Sequence, residues 1–63
     1  MDELVRAEWV ARRCDVGLST VYVWVRNNFV PHYRFGESIR FDKTEVENWI
    51  VEQARKPVLI VGE

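Results

Sequence analysis

The stretch "GLSTVYVWVRNN", residues 17–28, decides how the chain folds. Gly17 supplies a turn, and Ser19 and Thr20 form the first turn of a helix. Val21, Trp24, Val25 and Asn28 recur at i, i+3, i+4 and i+7, which places them on one helical face. The other face carries Ser19, Tyr22, Val23 and Arg26. A helix entered from a tight turn, with several side chains free to reach outward, has the form of an element that enters a groove. This one bears a single positive charge.

Working outward, "DELVRAEWVARRC" places Leu4 or Val5, Ala7 or Trp9, Val10 and Cys14 on one apolar stripe and reads as a first helix. Asp2 is a candidate cap for it, and "DVG" at 15–17 breaks it. The second helix runs from about Leu18 to Asn27. "NNFVP" ends it, because asparagine tolerates left-handed geometry and Pro31 forbids continuation. "YRFGESIRF" then alternates Tyr33, Phe35, Ile39 and Phe41 with Arg34, Ser38 and Arg40 around Gly36-Glu37. That pattern predicts a β-hairpin with the aromatics on one face and both arginines on the other. "DKTEVENWIVEQARKP" opens with Asp42 and Glu45 at capping-box spacing. Val46, Trp49, Ile50 and Gln53 follow at helical spacing, and Pro57 stops the helix. The expected domain spans residues 1–56, with an apolar C-terminal tail at 57–63. The tail "VLIVGE" would form a strand beside the hairpin or dock onto a partner.

Sixty-three residues make one domain. A chain of that length buries only about 60% of the surface its unfolded form exposes. One cysteine, Cys14, excludes an internal disulfide and a cysteine-based zinc cluster, and one histidine, His32, leaves no protein-built metal site to expect. The expected stabilisation is therefore burial of Trp9, Trp24, Trp49, Phe29, Phe35, Phe41, Tyr22 and Tyr33. The lone cysteine fits a reducing cytoplasm, and no signal-peptide or membrane-span pattern appears. Net charge is −1, but it is unevenly spread. Residues 9–41 hold Arg12, Arg13, Arg26, Arg34 and Arg40 against Asp15 and Glu37, while the acidic excess lies toward the two ends. Such local patches matter more than the total for contact with phosphates.

Enzymatic chemistry finds no support in the sequence. There is no histidine–carboxylate pairing, glycine-rich phosphate loop or metal-ligand spacing, and no cofactor is expected. Two helices joined by a three-residue turn make a helix-turn-helix, and a following hairpin makes it winged. The fold class expected is mainly α with a small β-hairpin wing, in the order helix, turn, helix, hairpin, helix.

The string "EWVARRCDVGLSTVYVWVRNNFVPHYRFGESIRFDKTEVENWI" resembles the excisionase-type, MerR-like winged helix-turn-helix DNA-binding family. The resemblance covers about residues 4 to 50. It rests on "STVYVWV", Pro31, "YRFG" with "IRF", and "VENWI" in that order and spacing. It implies an architectural protein that binds double-stranded DNA at phage or element attachment sites and bends it. Side-by-side copies would associate on the DNA and bias a tyrosine integrase toward excision; some relatives regulate transcription instead. The setting implied is the cytoplasm of a bacterial cell or phage-infected host. Carried over by position, the recognition-helix contacts fall on Ser19, Tyr22, Val23 and Arg26, with Leu18 and Thr20 at the helix entry. The wing contacts fall on Arg34, Ser38 and Arg40. Leu18, Val23 and Glu37 depart from the polar or basic residues of many relatives, and an acidic wing tip repels phosphate.

These departures shape the expected mechanism. Val23 can meet a thymine methyl, Tyr22 a phosphate or sugar, and Ser19 and Thr20 a phosphate at the helix start. About three to five phosphate contacts per monomer give a salt slope on the order of −3 to −4 and modest affinity. Plainer readings accompany these. The three tryptophans and Cys14 fit the core, His32 the surface, and Glu45, Glu47 and Glu52 a solvated face. Arg12, Arg13 and Lys43 fit solvent as readily as phosphate. A protein-interaction module on the same frame is a third functional reading, motivated by Leu18, Val23, the net acidity and the tail.

Overall fold

The computed structural model describes residues 3–55, and Asp2, Pro57 and the 57–63 tail lie outside them. The elements are β1 (Leu4–Val5), α1 (Ala7–Cys14), α2 (Leu18–Arg26), β2 (Tyr33–Phe35), β3 (Ser38–Asp42) and α3 (Lys43–Arg55). This is a winged helix-turn-helix, mainly helical, with a three-stranded antiparallel sheet in the order β1-β3-β2.

The N-terminus departs from the sequence reading. The first helix begins at Ala7, not near Asp2, and Leu4–Val5 form a strand opposite Asp42 and Phe41. Arg6 precedes the helix in extended geometry with no side-chain cap. Val5 reaches the core by sheet pairing, whereas Ala7, Val10 and Ala11 reach it on the helical stripe.

Both helix ends in the turn region close by one device. At the end of α1, Asp15 lies in the left-handed region (φ 58, ψ 49); its N–H bonds Arg12 O at 3.3 Å and the Val16 N–H bonds Ala11 O at 2.9 Å. At the end of α2, Asn28 takes φ 54, with its N–H on Val25 O at 3.0 Å and the Phe29 N–H on Trp24 O at 2.8 Å. These are Schellman closures, and the Phe29 and Trp24 rings add the accompanying apolar contact at 5.8 Å. Glycine is the usual residue at the left-handed position, so Asp15 carries a local cost that glycine would not.

The hairpin also corrects the sequence reading. Its two-residue turn starts at Gly36 with φ 63, and the register pairs Tyr33 with Arg40, Arg34 with Ile39 and Phe35 with Ser38. Directly opposed residues share a face. Tyr33, Phe35, Ser38 and Arg40 therefore lie on one side, and Arg34, Ile39 and Phe41 on the other. Arg34 and Arg40 do not share a face. Odd and even positions swap sides across a turn of this length, so simple alternation cannot be carried through it.

The core is more aliphatic than the composition suggested. Ala7, Val10, Ala11, Val21, Val25, Val30, Phe41 and Val46 form its centre. Trp9, Trp24 and Trp49 are half-buried around it, while Phe29 and Phe35 are 46% and 51% exposed. Trp24, Phe29 and Trp49 meet edge-to-face at 5.3–5.8 Å. Asp42, at 2% exposure, caps α3 by accepting the N–H of Thr44 at 2.9 Å and of Glu45 at 3.2 Å.

Two of the three glutamates assigned to a solvated face are engaged. The Tyr33 hydroxyl donates to Glu45 Oε2 at 2.8 Å, which holds the phenol above its ordinary pKa. Arg13 donates through Nε and Nη2 to both Glu47 oxygens at 2.8 and 2.7 Å. That fork ties α1 to α3 and holds the Glu47 carboxyl below its ordinary value.

Two expectations follow. Asp15→Gly should raise the unfolding free energy by about 0.5–1 kcal/mol in a denaturant titration; a lower midpoint would refute the left-handed assignment. Glu47→Gln should lower the melting temperature slightly at pH 7. Because the folded carboxyl titrates below its usual 4.5, the parent's advantage is present above that pH and lost as the pH falls beneath it. Equal gaps at pH 7 and pH 3 would mean the ion pair is not the cause.

Candidate nucleic-acid interface

The second helix presents a continuous outward arc. At about 100° per residue, Leu18, Tyr22, Arg26, Ser19 and Val23 follow one another around roughly 140° of its circumference. All five are exposed, while Val21 and Val25 are buried on the opposite side. Thr20 is half-buried at the edge of this arc. The sequence-derived recognition positions therefore fall together on one accessible surface, with Thr20 peripheral. The surface is mixed: Leu18, Tyr22 and Val23 are 38%, 44% and 39% exposed, and Arg26 supplies its charge.

The start of α2 is open. Gly17 precedes it with φ −71 and ψ 156, geometry that any residue adopts, and a Cβ there would meet nothing within 4 Å. Glycine is thus not required by the backbone. Its consequence is that no side chain caps the helix start and no acid lies in the first turn. Those N–H groups, at the positive end of the helix dipole, remain accessible to an anion.

A polar groove runs between this helix, the start of α1 and the hairpin. Arg6, Glu8, Tyr22, Glu37, Ser38 and Arg40 line it. Tyr22, Ser38 and Arg40 from the sequence-derived set meet there. Arg34, on the other face of the hairpin, is not among the lining residues. Arg40 is braced within the sheet, where Nη1 donates to Ile39 O at 2.9 Å. Arg6 and Glu8 were not singled out in the sequence. The signal that would have found Arg6 is the pairing of Val5 with Phe41, which sets the next residue beside Arg40.

Two other basic residues, Arg13 and Lys43, are occupied. Arg13 is held by Glu47, and Lys43 pairs with Glu3 at 3.3 Å while lying 5.6 Å over the Trp9 ring. His32 is half-buried, with Nδ1 2.9 Å from the Val30 carbonyl oxygen. Cys14 is half-buried, and burial pushes its thiol pKa up, the direction of an unreactive cysteine. Among the described residues no group of three or more His, Cys, Asp or Glu could hold a metal ion, and no helix is long and apolar enough to cross a membrane.

The arrangement fits contact with a duplex: an exposed helix face, an open helix start, and a hairpin arginine at the side. The model of a helix-turn-helix domain family matches residues 4–54. No curated protein and no solved structure matches the chain. With the family model spanning most of its length, the chain belongs to the helix-turn-helix domain family, whose activity is sequence-specific DNA binding.

Proposed function

We propose that the chain is an excisionase-type recombination directionality factor, an architectural protein that bends attachment-site DNA so that a tyrosine integrase is biased toward excision. In this reading α2 enters the major groove through Leu18, Ser19, Tyr22, Val23 and Arg26. Thr20 and the open start of α2 receive a backbone phosphate, and the hairpin sets Ser38 and Arg40 on the flanking backbone. Arg34, on the far face of the hairpin, touches DNA only if the wing tip is inserted edgewise.

The observation that carries the reading is the outward arc of α2 flanked by Arg40. Support for the excisionase assignment comes from the motif order "STVYVWV", Pro31, "YRFG", "IRF" and "VENWI". The sparse charge supports an architectural role. With Arg13 and Lys43 held by acids, about three phosphate contacts remain per copy, and a single copy binds modestly. Neighbouring copies on the DNA or a bound integrase would supply the rest. A transcriptional regulator using the same surface is the nearest alternative, and excision measured with and without integrase separates the two. A protein-interaction module is favoured by one observation, the apolar exposure of Leu18, Tyr22 and Val23.

Fluorescence anisotropy on attachment-site duplex at several salt concentrations tests the surface. The parent should show a slope of log K on log salt of about −3. Arg26→Ala and Arg40→Ala should each flatten it by about one unit, and Arg13→Ala should leave it unchanged. Loss of binding in Arg13→Ala with none in Arg26→Ala would move the interface to the opposite side of the domain. A duplex that leaves the amide spectra of residues 18–26 unmoved at low salt would favour the protein-interaction reading.

A further inference from the structure

Arg40 has a like-charged neighbour, and it is Arg6 rather than Arg34. Val5 pairs with Phe41 in the antiparallel register. Arg6, in extended geometry at φ −94 and ψ 171, continues that path by one residue and comes to lie beside Arg40. Both arginines line the polar groove, together with Tyr22 and Ser38. Like charges directly opposed on a sheet are destabilising. An acid between them would remove the cost, and the groove contains two, Glu8 and Glu37. Neither serves in that way: among the described residues the ion pairs are Arg13–Glu47 and Lys43–Glu3. Arg6 is exposed and makes no side-chain cap to the helix it precedes. Arg40 donates to the Ile39 carbonyl oxygen, a neutral partner that leaves its charge uncompensated.

We infer that Arg6 and Arg40 jointly hold one backbone phosphate of duplex DNA, with the Tyr22 and Ser38 hydroxyls as further donors. The inference rests on the proposed seating of α2 on DNA, and it adds Arg6 to the contact surface. A phosphodiester supplies the negative charge that the pair lacks, and planar guanidinium groups match its oxygens. Tyr22 belongs to the outward face of α2, so the phosphate held here borders the groove which that helix enters. A single phosphate then bridges the start of α1, the face of α2 and β3. Such a contact reads no bases but fixes the register of the helix on the duplex. Glu8 and Glu37 keep the groove near neutrality, so a free anion gains little there. A phosphate brought in by the docking of α2 is held in place by contacts elsewhere.

The test uses the full chain, an attachment-site duplex and the variant Arg6→Gln, which removes the charge at an exposed position. In the parent, the Arg6 and Arg40 Nε–H signals should shift on adding duplex. Arg6→Gln should bind about tenfold more weakly and flatten the salt slope by about one unit. Arg6→Lys should keep the slope, because it keeps the charge. The double variant Arg6→Gln/Arg40→Ala should lose less than the product of the two single losses, since both arginines act on one phosphate. Arg6→Gln should melt no lower than the parent, because it relieves a like-charge contact. A lower melting temperature with unchanged binding would make Arg6 a structural residue and overturn the inference. Losses that multiply in the double variant would mean two separate phosphates and overturn the shared site. Nε–H signals that move as far with inorganic phosphate as with duplex would assign the groove to a free anion, again overturning it. Arg6→Gln binding equal to the parent's, with the α2 amides still moved by duplex, would end the inference and leave the DNA-binding reading standing. A duplex that moves no α2 amide would remove both.

Discussion

The structure depends on the placement of β3, and within it on the step from Phe41 to Asp42. Phe41 is fully buried, and the strand that carries it packs against both α1 and α3. One residue later, Asp42 turns its carboxylate to the first amides of α3. A slip of one position would place a carboxylate in the core and remove the helix cap at once. Three independent features hold the register against that slip. Gly36 sets the turn on one side, β1 pairs on the other, and α3 starts immediately after the strand. Agreement among local devices of this kind gives a short chain a single fold.

What could be read in the sequence was what a single periodicity determines. The stripe Val21, Trp24 and Val25 fixed α2 within one residue, and Val46, Trp49 and Ile50 fixed the inner face of α3. Three readings failed for identifiable reasons. Leu4 and Val5 satisfy a helical stripe as well as a two-residue strand, and only the distant Phe41–Asp42 pairing decides between them. The hairpin faces depended on the length of the turn, because the parity of facing residues changes with it. The aromatic count misled about the centre of the core. Ala7, Ala11 and Val10 of α1 meet Val21 and Val25 of α2, and small side chains there bring the helices close, leaving the large rings at the rim.

The candidate site was legible as positions and illegible as electrostatics. The exposure of Ser19, Tyr22, Val23 and Arg26 followed from helical spacing, since one face buried means the other exposed, whereas Leu18 entered only through the family resemblance. Charge availability did not follow. Counting basic residues between positions 9 and 41 assumed that each was free, but Arg13 reaches across 34 residues of sequence to Glu47. Lys43 is likewise held by Glu3, through the strand pairing that the sequence reading missed. Conversely, Arg6 lay in a region of negative balance and is brought to the groove by that same pairing.

This redistribution bears on how such a domain discriminates among sequences. The groove beside α2 is lined by two arginines and two glutamates, so its long-range field is weak. A net charge of −1 offers no steering toward DNA. Non-specific affinity, which comes almost wholly from phosphate contacts, is correspondingly low. Specific binding loses less if the outward face of α2 is the one that meets base edges, as proposed, because that face is mostly uncharged: Val23 and Leu18 offer apolar contact to methyl groups, and Tyr22 and Ser19 offer hydroxyls for hydrogen bonding. The ratio of specific to non-specific binding therefore rises as the charge falls, at the expense of absolute affinity. Low absolute affinity of this kind is what the proposed architectural role would offset through neighbouring copies or a bound partner on the DNA.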